Sequence, residues 1–540
     1  MSLRNTATNI YSNKTKNNVG TDVFKVPDHD RFVRALTIGA DAGTFYVGKE
    51  TLSNEVVDFI TSYIKKNPKD AISTMVEISS SGRAPKEVHN LFALAVAFTL
   101  DDDEVRAELK NQDAFTKMVR TTFHLTEFIK NFRALGAGWG RARTRAVASW
   151  YENKTTDQLG FQVAKYPSRG GYNHLDLIRL SHPKNLDENL VEYIKNSNGM
   201  EKSSYDVDNL PQVVQNLLKV SKMTDPGDVV SAIKDTDGTF QWEFLRTEML
   251  NYASVWRALL KEGHVGYRAL MWNLGRFSRL GMLKDKNDLD LIRNLIKDED
   301  AIKKSRIHPM NILNALVGVA HAENGIDDSV SSYYYGYAYR NENSLKSPLS
   351  KALEYALKVS YGNVEATNKK LCLALDVSSS MDWTPMEGKN PLKPRQIATM
   401  FASMLLNNEE EDDVDVFAFS HKYTKLDVDN TTSMTSLISK TDNMDFGSTD
   451  ASLPFKHALK NKDFYDAIVV LTDNDTYFST TEGLEQYRKK VNPNAKLVVV
   501  SISGGNFSIN DPDDPNGLDV SGFDAGALNY VVDFIADRIG

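Results

Sequence analysis

The stretch Leu371–Ser380, LCLALDVSSS, decides how the C-terminal third of this chain folds. It begins as a continuous apolar run of strand length and ends as a polar turn rich in hydroxyl groups. Such a run is typical of a strand that is buried on both faces of a parallel sheet. The sequence therefore predicts a central strand that ends at Asp376 in a polar loop.

Further apolar runs follow this strand, and helical stretches separate them. The predicted strands are Leu371–Val377, Asp415–Phe419, Ala467–Thr472 and Lys496–Ile502, and the predicted helices are Arg395–Leu406, Leu453–Asn461, Glu482–Val491 and Asn529–Ile539. Strands that alternate with helices predict a doubly wound α/β fold, with helices on both faces of a parallel sheet. Ligands of such folds bind beyond the carboxyl ends of the strands.

The chain before residue 365 has a different pattern. Apolar residues at three- and four-residue steps predict amphipathic helices, among them Asn54–Lys65, Lys86–Thr99, Val255–Lys261 and Pro309–Ala322. Short links with Gly and Pro favour stacked helix pairs, but without a fixed-period repeat an irregular all-α domain stays an alternative. We predict a helical domain over residues 1–365 and an α/β domain over residues 366–540.

Charge follows the same division. The 540-residue chain has a formal net charge of −8, from 64 Lys and Arg against 72 Asp and Glu. Residues 366–540 hold 16 basic and 27 acidic side chains, whereas residues 1–365 have a net charge of +3. The negative net charge of the whole chain excludes a uniformly basic protein that coats nucleic acid, but it allows a basic patch on the first domain.

Cysteine use and hydropathy indicate the surroundings of the protein. Cys372 is the only cysteine, which excludes an intrachain disulfide and a thiolate-ligated zinc site. The N-terminal sequence MSLRNTATNIYSNKTKN is polar, and no apolar run approaches the ~18 residues that a membrane span requires. We expect a soluble, cytoplasmic protein without membrane contact.

Three loops at one edge of the predicted sheet carry oxygen ligands. Asp376, Ser378 and Ser380 form a D-x-S-x-S pattern after the first strand. Thr449 precedes a helix, and Asp473 follows the third strand. Mg²⁺ prefers oxygen ligands in octahedral geometry. The first loop alone could simply cap a helix, but the three loops together favour a metal site.

In these motifs and in the order of its elements, residues 368–540 resemble a von Willebrand factor A domain with a metal-ion-dependent adhesion site. The resemblance implies that a divalent ion, Mg²⁺ by preference, is held directly or through water by Asp376, Ser378, Ser380, Thr449 and Asp473. Asn474 departs from the family, which commonly has glycine there.

Catalysis at this site is disfavoured, because no histidine adjoins the motifs in the sequence as a general base and no second metal cluster is evident. We expect the ion to bridge to an acidic protein ligand. The neighbouring acidic run Glu409–Asp413 is interpreted as a solvated helix end.

A basic segment in the helical part contrasts with the acidic average. Residues 130–184 hold ten Lys and Arg against three acidic residues, and seven aromatic residues interleave with them. Fixed cations neutralise phosphates, and planar side chains stack on exposed bases. The alternative is that the basic side chains lie on a solvated helix face and that most of the aromatic residues belong to the core. The clustering of the basic residues favours RNA binding.

The segments WGRAR at residues 139–143 and KYPSRGGYNH at residues 165–174 resemble the TROVE domain of the Ro autoantigen family. Two later stretches agree with family helices: IHP at residues 307–309, and AL at 269–270 with NLG at 273–275. The α/β domain follows in the family's order, so the resemblance covers nearly the whole chain. It implies a ring of HEAT-like helical repeats followed by the von Willebrand factor A domain.

The resemblance also implies a function. Members of the family bind small structured Y RNAs on the outside of the ring and single-stranded 3′ ends of misfolded or decaying RNA in its hole. Lys165, Arg169 and His182 match the family residues that contact Y RNA, although a histidine before proline often only ends a helix. The other candidate RNA-binding residues are Arg133, Arg141 and Arg145.

We therefore predict a non-catalytic, monomeric RNA-binding protein of small-RNA stabilisation and RNA quality control. Bacterial members of the family are associated with polynucleotide phosphorylase, which makes an exoribonuclease a candidate partner. The alternative is a metal-dependent protein-interaction scaffold without an RNA role, and a hydrolase at the metal site is least favoured. His174 and His308 are expected to be structural.

Overall fold

The structure is a computed structural model that describes most of the chain. It covers residues 14–16, 22–25, 27–37, 49–81, 87–199, 204–236, 238–307, 309–323, 347–361, 365–383, 393–410, 413–442, 444, 447–473, 481–502, 507–521 and 525–538. His308, Asn474 and part of the acidic run (Glu411 and Asp412) lie outside the described residues.

The chain divides into two compact units. Residues 64–80 and 87–301 form one, called here the helical unit. The other, called the mixed unit, combines the described residues of 1–63, 81–86 and 302–540. These units are defined by contacts in space and not by continuous stretches of sequence. They therefore do not test the domain boundary predicted at residue 365, which stays a prediction.

The first part of the chain is helical, as the amphipathic pattern predicts. Its elements are β1 Lys14–Lys16, β2 Asp22–Lys25, α1 Asp28–Thr37, α2 Lys49–Lys66, α3 Pro68–Ser81, α4 Val88–Thr99, α5 Asp103–Asn111, α6 Ala114–Met118, α7 Thr122–Ala134, α8 Arg141–Glu152, α9 Thr156–Lys165, β3 Ser168–Arg169, β4 Tyr172–Asn173, α10 His174–Ser181, α11 Glu188–Ser197, α12 Gln212–Val220, α13 Pro226–Lys234, α14 Ala253–Lys261, α15 Tyr267–Arg279, α16 Lys286–Ile296, α17 Glu299–Ser305, α18 Pro309–Glu323 and α19 Pro348–Ser360.

Capping residues set where the helices of the helical unit begin. Helices α9 and α10 each start with a capping box, Thr155 with Gln158 and Asn173 with Asp176. In each pair, one side chain accepts a hydrogen bond from the partner's backbone N–H and the partner's side chain accepts one in return. The hairpin β3–β4 lies between the two helices, and the Asn173 cap joins its second strand directly to α10.

Aromatic side chains fill the core between α4, α6 and α7. Phe98, Phe115 and Phe128 form a triangle of edge-to-face ring pairs, with centroids 5.2–5.8 Å apart. Phe128 and Phe132 are fully buried. Of the seven aromatic residues of the basic segment, Phe132, Trp150 and Tyr151 are buried and the other four are half-buried, so fewer of them belong to the core than the sequence interpretation expected. Edge-to-face packing stabilises such a cluster beyond the burial of its area.

The C-terminal part forms an α/β fold. Its elements are β5 Leu371–Asp376, α20 Ser380–Trp383, α21 Pro394–Asn408, β6 Val414–Phe419, β7 Tyr423–Lys425, α22 Met434–Asp442, α23 Leu453–Asn461, β8 Ala467–Thr472, α24 Thr481–Lys490, β9 Lys496–Ser501, β10 Phe507–Ser508, β11 Gly517–Ser521 and α25 Ala525–Ile535. The predicted strands and helices are all present, although the closing helix begins four residues earlier than predicted.

The six strands of its main sheet run in the order β11-β9-β8-β5-β6-β7, and only the edge strand β7 is antiparallel to its neighbour. In the centre, Leu373 of β5 lies opposite Val416 of β6 and Val469 of β8. Every residue of β5 and β8 is buried, which explains their continuous apolar sequence. The strand ends of β5 and β8 therefore meet at one edge of the sheet.

The start of the chain belongs to the mixed unit. Strand β2 pairs antiparallel with β1 on one side and with β10 on the other. Helix α1, with Phe32 and Leu36 buried, packs against β11. Local periodicity did not indicate this arrangement, because it pairs segments almost 500 residues apart.

The interpretation of Glu409–Asp413 as a solvated helix end is wrong for its first residue. Glu409 is buried, and its carboxylate accepts hydrogen bonds from the backbone N–H groups of Thr367 (2.7 Å) and Asn368 (3.2 Å). A buried carboxylate requires such partners. Glu409 thus ties the end of α21 to the segment that enters β5.

A search of the described residues for an α-helix with the length and apolarity of a bilayer span finds none.

Candidate functional site

Lys165, the last residue of α9, is held by two partners from a distant part of the helical unit. Its ammonium Nζ donates a hydrogen bond to the amide oxygen of Gln241 (3.1 Å) and lies 3.3 Å from the carboxylate of Glu243. The side chain is only 20% exposed. Its positive charge is therefore positioned, and it is already partly balanced by Glu243.

Arg169 projects from the hairpin β3–β4. The turn needs glycine, because Gly170 and Gly171 have φ angles of +57° and +83°. Arg169 is exposed, and its guanidinium carbon lies 5.5 Å from the centre of the Phe123 ring on α7. A tight turn and a cation–π contact thus present this cation to solvent.

His182 ends α10 with a left-handed backbone, at φ 50° and ψ 52°. Its backbone N–H donates to the carbonyl oxygen of Ile178 at 2.9 Å, so the main chain closes the helix. The imidazole itself is exposed. The helix-ending role and an RNA contact are therefore compatible, because they use different atoms of the same residue.

Arg133, Arg141 and Arg145 are exposed at the end of α7 and on the first turns of α8. Arg145 Nε donates to the backbone oxygen of Arg141 at 3.3 Å, which lays the two side chains along one face. In the part of the chain that the structure describes, no carboxylate forms a salt bridge with these three residues. Their charges are available to an anion.

Sequence reasoning missed a cluster of polar and charged side chains made by Ser79, Glu87, Arg120 and His124. The Arg120 guanidinium donates to Ser79 Oγ at 2.9 Å and lies 3.2 Å from Glu87. Burial and the charges of Arg120 and Arg268 lower the pKa of His124 to about 4. No local pattern could have shown this group, because its members come from separate segments between residues 79 and 124.

His174 is a core residue, in keeping with its expected structural role. Its Nδ1 lies 3.0 Å from the Tyr151 hydroxyl, and its ring stacks on Trp150. Burial lowers the pKa of His174 to about 4, so the ring is neutral near pH 7.

The candidate metal site begins at the carboxyl end of β5. Asp376 Oδ1 accepts a hydrogen bond from the backbone N–H of Ser378 at 2.9 Å, and the hydroxyls of Ser378 and Ser380 lie 3.1 Å apart. Ser379 between them is exposed. The alternation predicted from D-x-S-x-S is therefore present, with both serine hydroxyls on one side of the loop.

The other two candidate ligands lie on neighbouring loops. Ser379 N–H donates to the carbonyl oxygen of Gly447 at 3.3 Å, which holds the loop of Thr449 beside the first loop. Thr449 and Asp473 are both buried. Thr472 was not assigned a role, but its hydroxyl donates to Asp376 Oδ2 at 2.6 Å and orients that carboxylate. The only sequence signal was its position as the last residue of β8.

The electrostatics of this edge fit a hard cation. Burial and the charge of Asp473 raise the pKa of Asp376 to about 7, because two buried carboxylates disfavour each other's ionisation. Within the described residues, no group of three or more His, Cys, Asp or Glu side chains could hold a metal. The candidate ligands are two carboxylates and three hydroxyl groups, and such oxygen donors suit Mg²⁺ better than a soft metal.

Packing brings a histidine beside these loops, although none adjoins them in the sequence. The His421 ring, from the turn between β6 and β7, lies so close to Gly447 that a Cβ added there would fall 2.0 Å from its Nδ1. Gly447 is therefore required by this contact, and the sequence argument that no histidine is near the motifs does not hold in space.

Exposed arginines on a helical unit, and buried carboxylate and hydroxyl side chains at the strand ends of an α/β fold, define the class as a helical protein that carries an α/β domain. Residues 370–535 match the family profile of the Ro60 vWA domain, and residues 15–212 and 238–332 match that of the TROVE domain. The chain therefore belongs to the Ro60 family of TROVE-domain proteins.

Individual relatives agree over nearly their whole lengths. RNA-binding protein RO60 of Deinococcus radiodurans is 30% identical over 97% of this chain and 96% of its own length. RNA-binding protein RO60 of Caenorhabditis elegans is 28% identical over 98% and 91%. The crystal structure of the Deinococcus radiodurans Ro (Rsr) protein matches with a TM-score of 0.68 and 28% identity, and covers 95% of this chain and all of that one. The predicted helical region followed by a von Willebrand factor A fold is confirmed.

Proposed function

We propose that this protein binds RNA without acting on it chemically. Small structured RNA of the Y type would bind at Lys165, Arg169 and His182, and single-stranded 3′ ends would enter the hole of the ring that the family resemblance implies. The observation that carries the proposal is the exposed Arg169 guanidinium, fixed on a glycine turn with no carboxylate salt bridge among the described residues. The relatives' name, RNA-binding protein, supports it.

The chemistry of these side chains suits a folded RNA. Guanidinium groups form paired hydrogen bonds with phosphate oxygens, and these contacts set affinity and register. Duplex RNA is recognised mainly by shape, through phosphates and 2′-hydroxyls. Arg133, Arg141 and Arg145 extend the positive surface along α7 and α8 and would contact further phosphates.

A binding assay tests this proposal directly. Fluorescence anisotropy of a structured small RNA should show that Arg169→Gln weakens binding by roughly tenfold, since a charge-assisted hydrogen bond contributes about 1.5 kcal/mol or more. Lys234→Gln is the matched control, because Lys234 is also an exposed cation and lies on α13 of the same unit. Equal losses in the two variants would contradict a specific RNA surface.

We also propose the cellular role that follows from such binding. A protein that holds structured RNA and single-stranded ends would stabilise small RNAs and present defective RNA to an exoribonuclease, such as polynucleotide phosphorylase. It would do so as a cytoplasmic monomer. Co-purification of an exoribonuclease that depends on RNA, and is lost after ribonuclease treatment, is the expected result.

The second candidate function is metal-dependent protein interaction in the mixed unit. The observation that favours it is the buried carboxylate pair Asp376 and Asp473 with the hydroxyls of Ser378, Ser380 and Thr449. A divalent ion bound there would supply an open coordination position for an acidic side chain of a partner. Asp376→Ala should abolish Mg²⁺ binding in calorimetry and leave RNA affinity unchanged.

A further inference from the structure

Helix α15 exposes a large aromatic ring. Trp272 is 71% exposed, which is the highest value among the exposed large hydrophobic residues of the described part of the chain. The opposite side of the helix is buried through Leu270, Leu274 and Phe277, so the helix is firmly packed. An exposed indole on a firmly packed helix offers a flat apolar surface that a planar ligand can cover.

Arginines share a helix face with this ring. Arg268 lies one turn before Trp272, Arg276 one turn after it, and Arg279 a turn beyond that, so the four side chains share one face of α15. The helix contains no acidic residue. Arg268 and Arg279 are exposed, and Arg276 is half-buried with its guanidinium 5.5 Å from the Trp256 ring. We call these four residues the Trp272 face.

Glycine keeps one side of the indole open. Gly275, three residues after Trp272, is exposed, and a Cβ added there would meet only Arg279 Nη1, at 3.9 Å. The Arg279 side chain therefore lies back along the helix beside Gly275. A planar ligand stacked on Trp272 would find open space on the Gly275 side and a guanidinium beside it.

Arg268 lies close enough to Glu87 and His124 for its charge to act on both groups, and in that cluster Arg120 is already paired with Glu87 at 3.2 Å. The positive charge beside the exposed indole therefore comes from the arginines of α15 itself, and a polyanion with planar groups matches this face.

We propose that the Trp272 face is a base-stacking platform for single-stranded RNA, on which one base stacks on the indole while Arg268 and Arg279 contact the adjoining phosphates and Arg276, whose guanidinium faces the buried Trp256 ring, anchors the helix. This assignment rests on the proposed RNA-binding function and names a separate site for the unpaired part of the RNA. Stacking on aromatic residues accepts every base, because each base has a π face. An acidic peptide would pair with the arginines but leave the ring uncovered, so the geometry favours RNA.

The test compares strands with and without bases. Anisotropy titrations of the full chain would use oligouridine and an abasic oligonucleotide of equal length. Trp272→Ala should weaken oligouridine binding by roughly tenfold, within the range of one lost base stack, and leave abasic-strand binding unchanged. Trp272→Phe should keep most of the affinity. Tyr530→Ala is the control, because Tyr530 is a 50% exposed aromatic residue of the mixed unit.

The outcomes separate this proposal from the proposed function. Unchanged oligouridine binding by Trp272→Ala would overturn it, as would equal affinity of the unaltered protein for the two strands. A third outcome would assign the face to an acidic protein instead. In that case the protein binds a poly-glutamate peptide with an affinity that Trp272→Ala does not change, and it does not bind oligouridine. A tail-free structured RNA that binds Trp272→Ala normally but fails with Arg169→Gln would show that the two sites are independent.

Discussion

The Lys165 ammonium lies 3.3 Å from the Glu243 carboxylate, across 78 residues of sequence. The pair joins the end of α9 to the 3₁₀ turn Trp242–Phe244. A phosphate that binds Lys165 must therefore compete with a carboxylate that is already in place. Lys165 acts as a structural link and as a partly balanced cation, whereas Arg169 is directly available.

Removal of the competing carboxylate should strengthen RNA binding. Glu243→Gln keeps a hydrogen-bonding group beside Lys165 but removes the carboxylate that balances the Lys165 charge. We therefore expect the affinity for structured RNA to rise a few-fold, which is about what one part-exposed ion pair contributes. Anisotropy titration measures it. Glu248→Gln is the matched control, because Glu248 pairs with Arg246 at 3.4 Å in the same region. Unaltered or weaker binding by Glu243→Gln alone would argue against phosphate contact at Lys165.

Salt dependence counts the phosphate contacts. The affinity for structured RNA should fall linearly with the logarithm of salt concentration, and Arg169→Gln should reduce the slope by about 0.7 to 0.9 per lost contact. Lys234→Gln should leave the slope unchanged. A slope that Arg169→Gln does not alter would place Arg169 outside the phosphate contacts.

Two adjacent serines test the metal site. Ser378→Ala should weaken Mg²⁺ binding strongly, because its hydroxyl lies 3.1 Å from that of Ser380 on the ligand side of the loop. Ser379→Ala should have little effect, because Ser379 is exposed and its contribution is a backbone bond to Gly447. Thr472→Val should lower the affinity less than Ser378→Ala, through loss of the 2.6 Å bond that orients Asp376. Isothermal calorimetry would measure all three, and equal effects of the two serine variants would contradict the ligand assignment.

The stability of the helical unit should decrease in acid. Burial lowers the pKa of His174 and of His124 to about 4, below the usual value of 6.5. Between about pH 6.5 and 4 the unfolded chain binds more protons than the native one, so the free energy of unfolding falls as the pH falls through this window. Thermal melts at pH 7, 6 and 5 should show a falling Tm, and His174→Gln should flatten the dependence. A Tm that is constant over this range would contradict the buried, neutral state of these rings.

Local sequence pattern was sufficient where local physics decides the structure. The apolar run of β5 and the alternation of Asp376, Ser378 and Ser380 depend on strand burial and on the period of an extended loop. Both can be recognised within ten residues of sequence. The helix positions followed for the same reason, since an amphipathic stripe needs only three or four turns to be visible.

Contacts between distant segments could not be predicted in this way. Glu243 beside Lys165, His421 against Gly447, and Glu409 bonded to Thr367 join residues that no periodicity relates. Each of them changes the chemistry of a candidate residue: a cation is balanced, a histidine approaches a loop, and an acid is buried. These pairings arise from tertiary packing, which a single sequence does not display.

The most direct test of the central claim is the sequencing of RNA that co-purifies with the protein from its native host. The chain and its Lys165→Gln/Arg169→Gln double variant would be purified in parallel, with Lys234→Gln as the control. RNA binding through this surface predicts that a small structured RNA is enriched with the unaltered chain and with Lys234→Gln, and is lost from the double variant. Equal recovery of the same RNA with the double variant, or no enriched RNA with the unaltered chain, would contradict the account.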